Sequence, residues 1–331
     1  MQTADHVLMI RPVNFLSNPE TAPTNAFQTS DVADSAAQAA ARNEFDAYAN
    51  ALQHAGIGVI VVEDTPDPHT PDSIFPNNWV SFHADGRIFL YPMEAPNRRM
   101  ERRGAVLAEV GKYFHIQEVI DLGCHEANGK FLEGTGSMVL DHARKLAYVC
   151  RSSRSHPEVM SAFEDRSGYS AWWFRATDRH GTAIYHTNVM MCVGQTLAVV
   201  CLESIADFNQ RMNLVECLIA SGKQIIEITH DQMESFAGNM LELRSKTGDP
   251  VFAMSRRAWM SLTSPQQKLI AKYAEPVLAP IETIERLGGG SARCMLAEIF
   301  LPPLHPPRNL THDATPALYH LSKCRSPRCF S

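Results

Sequence analysis

The sequence predicts an α/β protein of five ββαβ units closed into a ring. Two observations carry this: the order hairpin, helix, strand recurs along the chain, and half a unit is left over at each end. In the first complete unit, WVSFHADGRIFLY divides into two alternating runs around Ala84-Asp85-Gly86, and Asp-Gly between such runs is a strong hairpin signal. NRRMERRGAVLAEVGKYF then reads as helical and IQEVIDL as a strand. The same order returns in SMVLDHARKLAYVC, HPEVMSAFEDRSG and SAWWFRAT, and again in VMMCVGQTLAVVCL, IADFNQRMNLVECLIASG and KQIIEIT. A further copy is MLELRSKTGDPVFAMS, SPQQKLIAKYAEP and PVLAPI, with Pro265 suited to a first helical turn.

The two ends supply the remaining unit. VLMIRP reads as a strand, followed by a Pro/Asn-rich loop and an alanine-rich helix that opens at Ser30 or Asp31 and stops at Gly56, as helix propensity and a glycine C-cap require. IGVIVVE is the next strand. CMLAEIFLP would form a hairpin with VLMIRP and so close the ring. The units share no obvious sequence repeat, so the competing arrangement is an open mixed sheet. Residues 1–305 are expected to form a single domain, and the polar, proline-rich stretch 306–331 a loose tail.

At 331 residues with 45% hydrophobic and 20% charged residues, the chain is long enough for a sizeable core and reads as soluble and globular. A net charge of -6 and the lack of a basic stripe argue against nucleic acid and anionic membranes as partners. MQTADHVLMI lacks a basic region followed by a long apolar run, and no segment reaches the length of a membrane span, so a cytoplasmic location is expected. Cys150, Cys192 and Cys217 sit in apolar runs and read as reduced core residues. Cys324 and Cys329 form a surface-like pair without matching ligands nearby, which makes zinc improbable.

The chemistry gathers around GGGSARCMLAEIF, a glycine run that delivers Cys294 to the start of an apolar segment. An unpaired cysteine usually packs as a small hydrophobe, but Cys294 has company. The residues just before the first hairpin strand of each unit are Pro76-Asn77-Asn78, Glu133-Gly134-Thr135-Gly136, His186-Thr187-Asn188, Ala237-Gly238-Asn239 and Arg293-Cys294. In a ring of like units these positions are equivalent and converge at one end of the axis. A nearby imidazole favours the thiolate and can protonate a leaving amine. Glu133 could bind a substrate N–H and steer a proton.

FLEGTGSMVLD, YHTNVMMCVG and GGGSARCMLAEIF resemble the pentein superfamily of guanidine- and urea-modifying enzymes, over about residues 7 to 303. The resemblance implies a fivefold pseudosymmetric α/β propeller. It assigns Cys294 as nucleophile, His186 as general acid/base and Glu133 as catalytic glutamate, and needs no metal or organic cofactor. Arg154 matches an arginine that grips the substrate's α-carboxylate, and Arg98 or Arg99 a second, Arg99 being the one assigned; a guanidinium fork suits a carboxylate.

Where arginine deiminases of this superfamily carry two aspartates, this chain has Asn78 and Asn188. An amide offers donor and acceptor without charge, which fits a neutral ureido group better than a guanidinium. The opening MIRPVNFLSNPETAPTNAFQ also resembles citrulline hydrolases. The expected activity is therefore cysteine-dependent hydrolysis of citrulline or a close relative, a small-molecule amino acid. The alternatives are an arginine deiminase or dimethylarginine-type hydrolase, an amidinotransferase, and a non-catalytic binding protein on the same scaffold. Oligomeric state is left open.

Overall fold

The computed structural model describes residues 1–25, 27–29 and 35–304, and the backbone of 321–323. The expected helix start at Ser30 or Asp31, the Cys324/Cys329 pair and most of the expected tail lie outside the described residues. The first elements are strand β1 (His6–Arg11), the helix Ser35–His54 and strand β2 (Gly58–Glu63), which pairs parallel with β1. The helix buries Ala41, Phe45, Tyr48, Ala49 and Leu52, a spacing that puts them on one face. They pack with Val277, Ala279, Ile284 and Leu287 from the end of the chain.

Four complete hairpin, helix, strand units follow. The first has β3 (Val80–Phe82) and β4 (Arg87–Leu90), the helix Gly104–Val110 and β5 (Glu118–Asp121). The second has β6 (Met138–Asp141), β7 (Leu146–Cys150), the helix Pro157–Ser167 and β8 (Ser170–Phe174). The third has β9 (Met191–Val193), β10 (Leu197–Val200), the helix Phe208–Ala220 and β11 (Gln224–Glu227). The fourth has β12 (Leu241–Arg244), β13 (Pro250–Ser255), the helix Ser264–Tyr273 and β14 (Glu275–Ala279). In each, the hairpin is antiparallel and the last strand lies parallel to the second.

The long helix expected across residues 97–114 is two short ones, Pro96–Arg99 and Gly104–Val110. Arg102, between them, is drawn out to the Tyr91 carbonyl and Glu126. Strand β15 (Ala297–Ile299) runs antiparallel to β1, with Leu8 opposite Ala297, so the chain's two ends share one sheet. A single pairing, Ile299 opposite Phe82, joins β15 to β3. The result is one seven-stranded sheet and three three-stranded sheets, with β16 (Leu321–Lys323) along the edge at β5.

Burial grades across every unit. The first hairpin strands β3, β6 and β9 are buried at every position, whereas the third strands β8 and β11 are mostly exposed or half-buried, with one buried position each. Continuous burial means a strand is covered on both faces, so the ends of the first strands open into the interior, and loops placed there present side chains away from bulk water. Among the described residues, no helix is long and apolar enough to cross a membrane.

Candidate active site

Each unit places a short loop ahead of its first hairpin strand. Asn78 ends the turn Pro76–Asn78 before β3, Glu133 precedes the single helical turn Gly134–Ser137 before β6, and His186 precedes the turn Thr187–Met190 before β9. Asn239 stands just ahead of β12 and Cys294 just ahead of β15. Cys294 was expected to open a strand; it lies in a turn in which its N–H donates to the Ser291 carbonyl at 2.9 Å, and the strand starts at Ala297. The glycine run does what its composition implies: the helix Glu282–Gly288 ends there, and Gly289 takes φ 61°, a left-handed conformation that a side chain disfavours.

Glu133 is fully buried and serves as a hub. One carboxylate oxygen accepts from the Glu94 backbone N–H at 3.0 Å; the other meets His186 Nε2 at 2.8 Å and Arg154 Nη1 at 3.2 Å. Burial opposes its charge, but Arg154, the His186 hydrogen bond and Arg98 outweigh burial and hold the carboxyl well below its usual range. Burial pushes His186 down to about 4 against the pull of Glu133. Near neutral pH the pair is therefore carboxylate and neutral imidazole, and a neutral imidazole can accept a proton as a base and return it. Close approach at Gly136 makes room for it, since a Cβ there would stand 2.3 Å from Asn78 Nδ2 and 2.9 Å from the His186 ring.

The Cys294 thiol is 5% exposed and sits between two amides. Asn239 Nδ2 is 3.2 Å from Sγ and Asn188 Nδ2 is 3.7 Å away. Among the described residues, no hydrogen bond joins Cys294 to His186. Both line one narrow cavity, with about 20 Å³ of free space, together with Asn78, Arg154, Arg98, Asp72, Tyr185 and the three glycines Gly288, Gly289 and Gly290. The structure thus brings Cys294, His186, Asn78 and Arg154 to one cavity, with Glu133 hydrogen-bonded behind His186. Asn188 touches the thiol but does not line the cavity.

Arg99 is not part of this set. It donates to the Met93 and Glu94 carbonyls at 3.0 and 3.1 Å and does not line the cavity. Its neighbour Arg98 does, donating to Asn78 Oδ1 at 2.9 Å and bridging Glu101 at 2.9 and 3.1 Å. The two are adjacent in one helical turn, where successive side chains point about 100° apart. Sequence reasoning missed Asp72, which is 2% exposed and accepts from Asn18 Nδ2 at 2.7 Å and Thr21 Oγ1 at 3.2 Å. Burial raises its carboxyl, against the pull of Arg98. A lone acid in PDSIF reads as a turn residue, and nothing local marks it as a cavity wall. Arg154 is also held more tightly than its assigned role suggests, by Glu94 at 3.1 Å, Thr24 Oγ1 at 2.6 Å and the Tyr185 ring, besides Glu133.

No match to this sequence is found among curated proteins. Among solved structures, the chain resembles the substrate-bound N-terminal domain of ArgZ, an arginine dihydrolase from the ornithine-ammonia cycle in cyanobacteria, with TM-score 0.70 and 14% identity over 90% of this chain and 98% of that one. Unliganded AgrE matches with TM-score 0.70 and 16% identity over 90% of this chain and 39% of that longer chain. DDAH from Pseudomonas aeruginosa, complexed with citrulline, matches with TM-score 0.62 and 16% identity over 90% of this chain and all of the other. At such identities the likeness speaks for the fold. The family profile described as "N,N dimethylarginine dimethylhydrolase, eukaryotic" matches residues 11–301. The chain belongs to that family and, through it, to the pentein superfamily of guanidino-modifying enzymes, as a hydrolase of carbon-nitrogen bonds other than peptide bonds.

Proposed function

We propose that the protein hydrolyses the ureido group of citrulline or a close relative, giving ornithine, ammonia and carbon dioxide, with Cys294 as nucleophile. The observation that carries this reading is the set of amides around the thiol, one lining the cavity and two packed against the sulfur. Asn78 Nδ2 makes no hydrogen bond within the protein, and Asn188 and Asn239 face the thiol. An unpaired buried donor costs roughly 1–3 kcal/mol, a cost recovered when a ligand acceptor such as a ureido oxygen arrives. Uncharged partners suit an uncharged head group.

In this mechanism His186 takes the Cys294 thiol proton once substrate is bound, and the thiolate forms a C–S bond to the ureido carbon while the oxygen gains the charge. His186 protonates the departing amine and the C–N bond breaks, leaving an S-carbamoyl cysteine. His186 then takes a proton from water as it adds to that carbon, and the thiolate leaves. The released carbamic acid falls apart to ammonia and carbon dioxide. Glu133 orients His186 and stabilises its imidazolium when it forms, and Arg154 and Arg98 face the substrate's α-carboxylate. Thiol, imidazole and carboxylate suffice for this sequence.

Asp72 favours a second reading. It lines the cavity, its Oδ1 makes no hydrogen bond within the protein, and a buried carboxylate there would pair with a guanidinium. Arginine or a methylated arginine is then the substrate. We further infer that the five units close as a fivefold propeller; the shared sheet of the two chain ends and the buried first strands support this. A single catalytic domain over residues 1–305 and a cytoplasmic location belong to the same proposal.

The test is to incubate wild type and Cys294→Ser with citrulline and, separately, arginine, and to follow ammonia, ornithine and citrulline by chromatography. Ornithine from citrulline, lost in the variant, is the expected result. Citrulline accumulating from arginine, with citrulline itself untouched, would replace the ureido reading with the guanidinium one.

A further inference from the structure

The nucleophile's nearest polar neighbour is not the histidine assigned as its acid/base partner. It is Asn239, from the fourth unit, fully buried and 3.2 Å from Sγ through Nδ2. Two backbone groups fix which way that amide faces. The Arg293 N–H can only donate, and it reaches Asn239 Oδ1 at 3.1 Å. The Asn188 carbonyl can only accept, and it takes a hydrogen from Asn239 Nδ2 at 3.0 Å. Sγ also lies 3.6 Å from Oδ1, where a thiol can donate, but a thiolate cannot; with one Nδ2 hydrogen given to Asn188, the other is left for the thiolate at the shorter distance. The amide at Asn188 stands farther off, at 3.7 Å.

We propose that Asn239 is a catalytic residue whose side-chain N–H holds the Cys294 thiolate before attack and receives it again when the acyl group is released. The proposal deepens the cysteine-hydrolase reading above and rests on it. A thiolate at a nearly closed site needs partners that answer its charge. His186 is turned to Glu133 and makes no hydrogen bond to the sulfur, and it carries a charge only after it has taken the thiol proton. A ureido substrate brings no cation. The remaining source of stabilisation is fixed dipoles aimed at the sulfur, and a buried, pre-oriented N–H spends little on reorganisation when the charge appears. When the thiolate attacks, its charge moves to the substrate oxygen and the N–H···S contact weakens. When the thiolate leaves after water adds, the contact is restored.

The test is the rate at which iodoacetamide alkylates Cys294, read by mass spectrometry of the Cys294 peptide across a pH series, for wild type, Asn239→Asp and Asn239→Ala. The expected result at pH 7 is a slowing of roughly ten- to a hundredfold in both variants, the size of a lost hydrogen bond to a charged group. The alkylation profile moves to higher pH, and kcat falls in step while KM stays within about threefold. Folded variants whose alkylation profile coincides with wild type, whatever happens to kcat, would reduce Asn239 to a brace between Asn188 and Arg293 and overturn the proposal. Should both variants fail to fold, the wild-type side-chain amide signal of Asn239 decides by nuclear magnetic resonance: it must shift with the pH dependence of Cys294 alkylation, and a flat signal sinks the idea. Alkylation needs no substrate, so the test stands even if neither citrulline nor arginine is turned over, and the two readings fail separately.

Discussion

Two buried histidines, His186 and His83, are nearly equal in depth and opposite in surroundings. His186 is 3% exposed and His83 5%. Burial pushes the first down to about 4 and the second to about 3. Their partners differ. His186 bonds a carboxylate that an arginine also holds, and its ring lines a cavity. His83 meets the Ser81 hydroxyl at 2.8 Å, and Ser81 in turn meets Tyr91, inside a shell of Phe89, Phe163 and Tyr169. Desolvation alone therefore does not mark a site. A buried histidine can do chemistry where a charge partner and open space converge on it, and it is packing where neither does.

The sharpest way to break this comparison is to substitute both. His186→Asn should lower kcat by roughly 10²–10⁴-fold, the usual range for a lost general acid/base, while His83→Gln should leave turnover within about twofold. Equal losses in steady-state assays of the two variants would show that the cavity is not what separates them.

Arg154 sharpens the carboxylate side of the contrast. Arg154→Ala leaves Glu133 buried without its ionic partner, a change that costs about 3 kcal/mol or more. It also removes a cation from the cavity wall. A lower unfolding midpoint is expected in denaturant titration, together with a rise in KM for an α-amino acid substrate that exceeds the fall in kcat. An unchanged KM would take Arg154 out of the substrate's reach and leave it as a support for Glu133.

The effect of pH at His83 is confined to the acid range and is absent near neutrality. Its folded pKa lies below the ordinary histidine value, so between about pH 6.5 and about 3 the unfolded chain binds a proton that the native protein does not. Its contribution to stability is complete above that window and is lost as pH falls through it, at no more than about 1.4 kcal/mol per pH unit. Burial dominates, while Asp85 opposes it and Lys145 and Arg87 reinforce it. The stability difference between wild type and His83→Gln, from unfolding curves at stepped pH, should therefore shift in the variant's favour on acidification. A difference that stays flat would mean that His83 keeps its ordinary pKa in the fold.

Much of the candidate site was legible from residue types and order. Glu133, His186, Asn78 and Cys294 each sit at the same place in a repeating unit, and the structure sets all four at or directly behind one cavity. Arg98 and Arg99 could not be told apart, because nothing in PNRRMERR says which face of one helical turn looks inward. Asp72 gave no signal, since its role depends on Asn18 and Thr21 reaching it from a loop more than fifty residues earlier in sequence.

By itself the sequence determined the α/β class, the recurring hairpin, helix, strand order, and the presence of a thiol, an imidazole and a carboxylate at matching positions. These follow from local rules: side-chain periodicity, turn residues and chemical type are all readable along the chain. The tertiary structure alone decided that Asn239 rather than His186 faces the sulfur at rest, that Glu133 ties His186 to Arg154, and that Asp72 lines the cavity. Such contacts join residues 21 to 55 positions apart, and their geometry depends on how separate units pack, which no stretch of sequence encodes on its own.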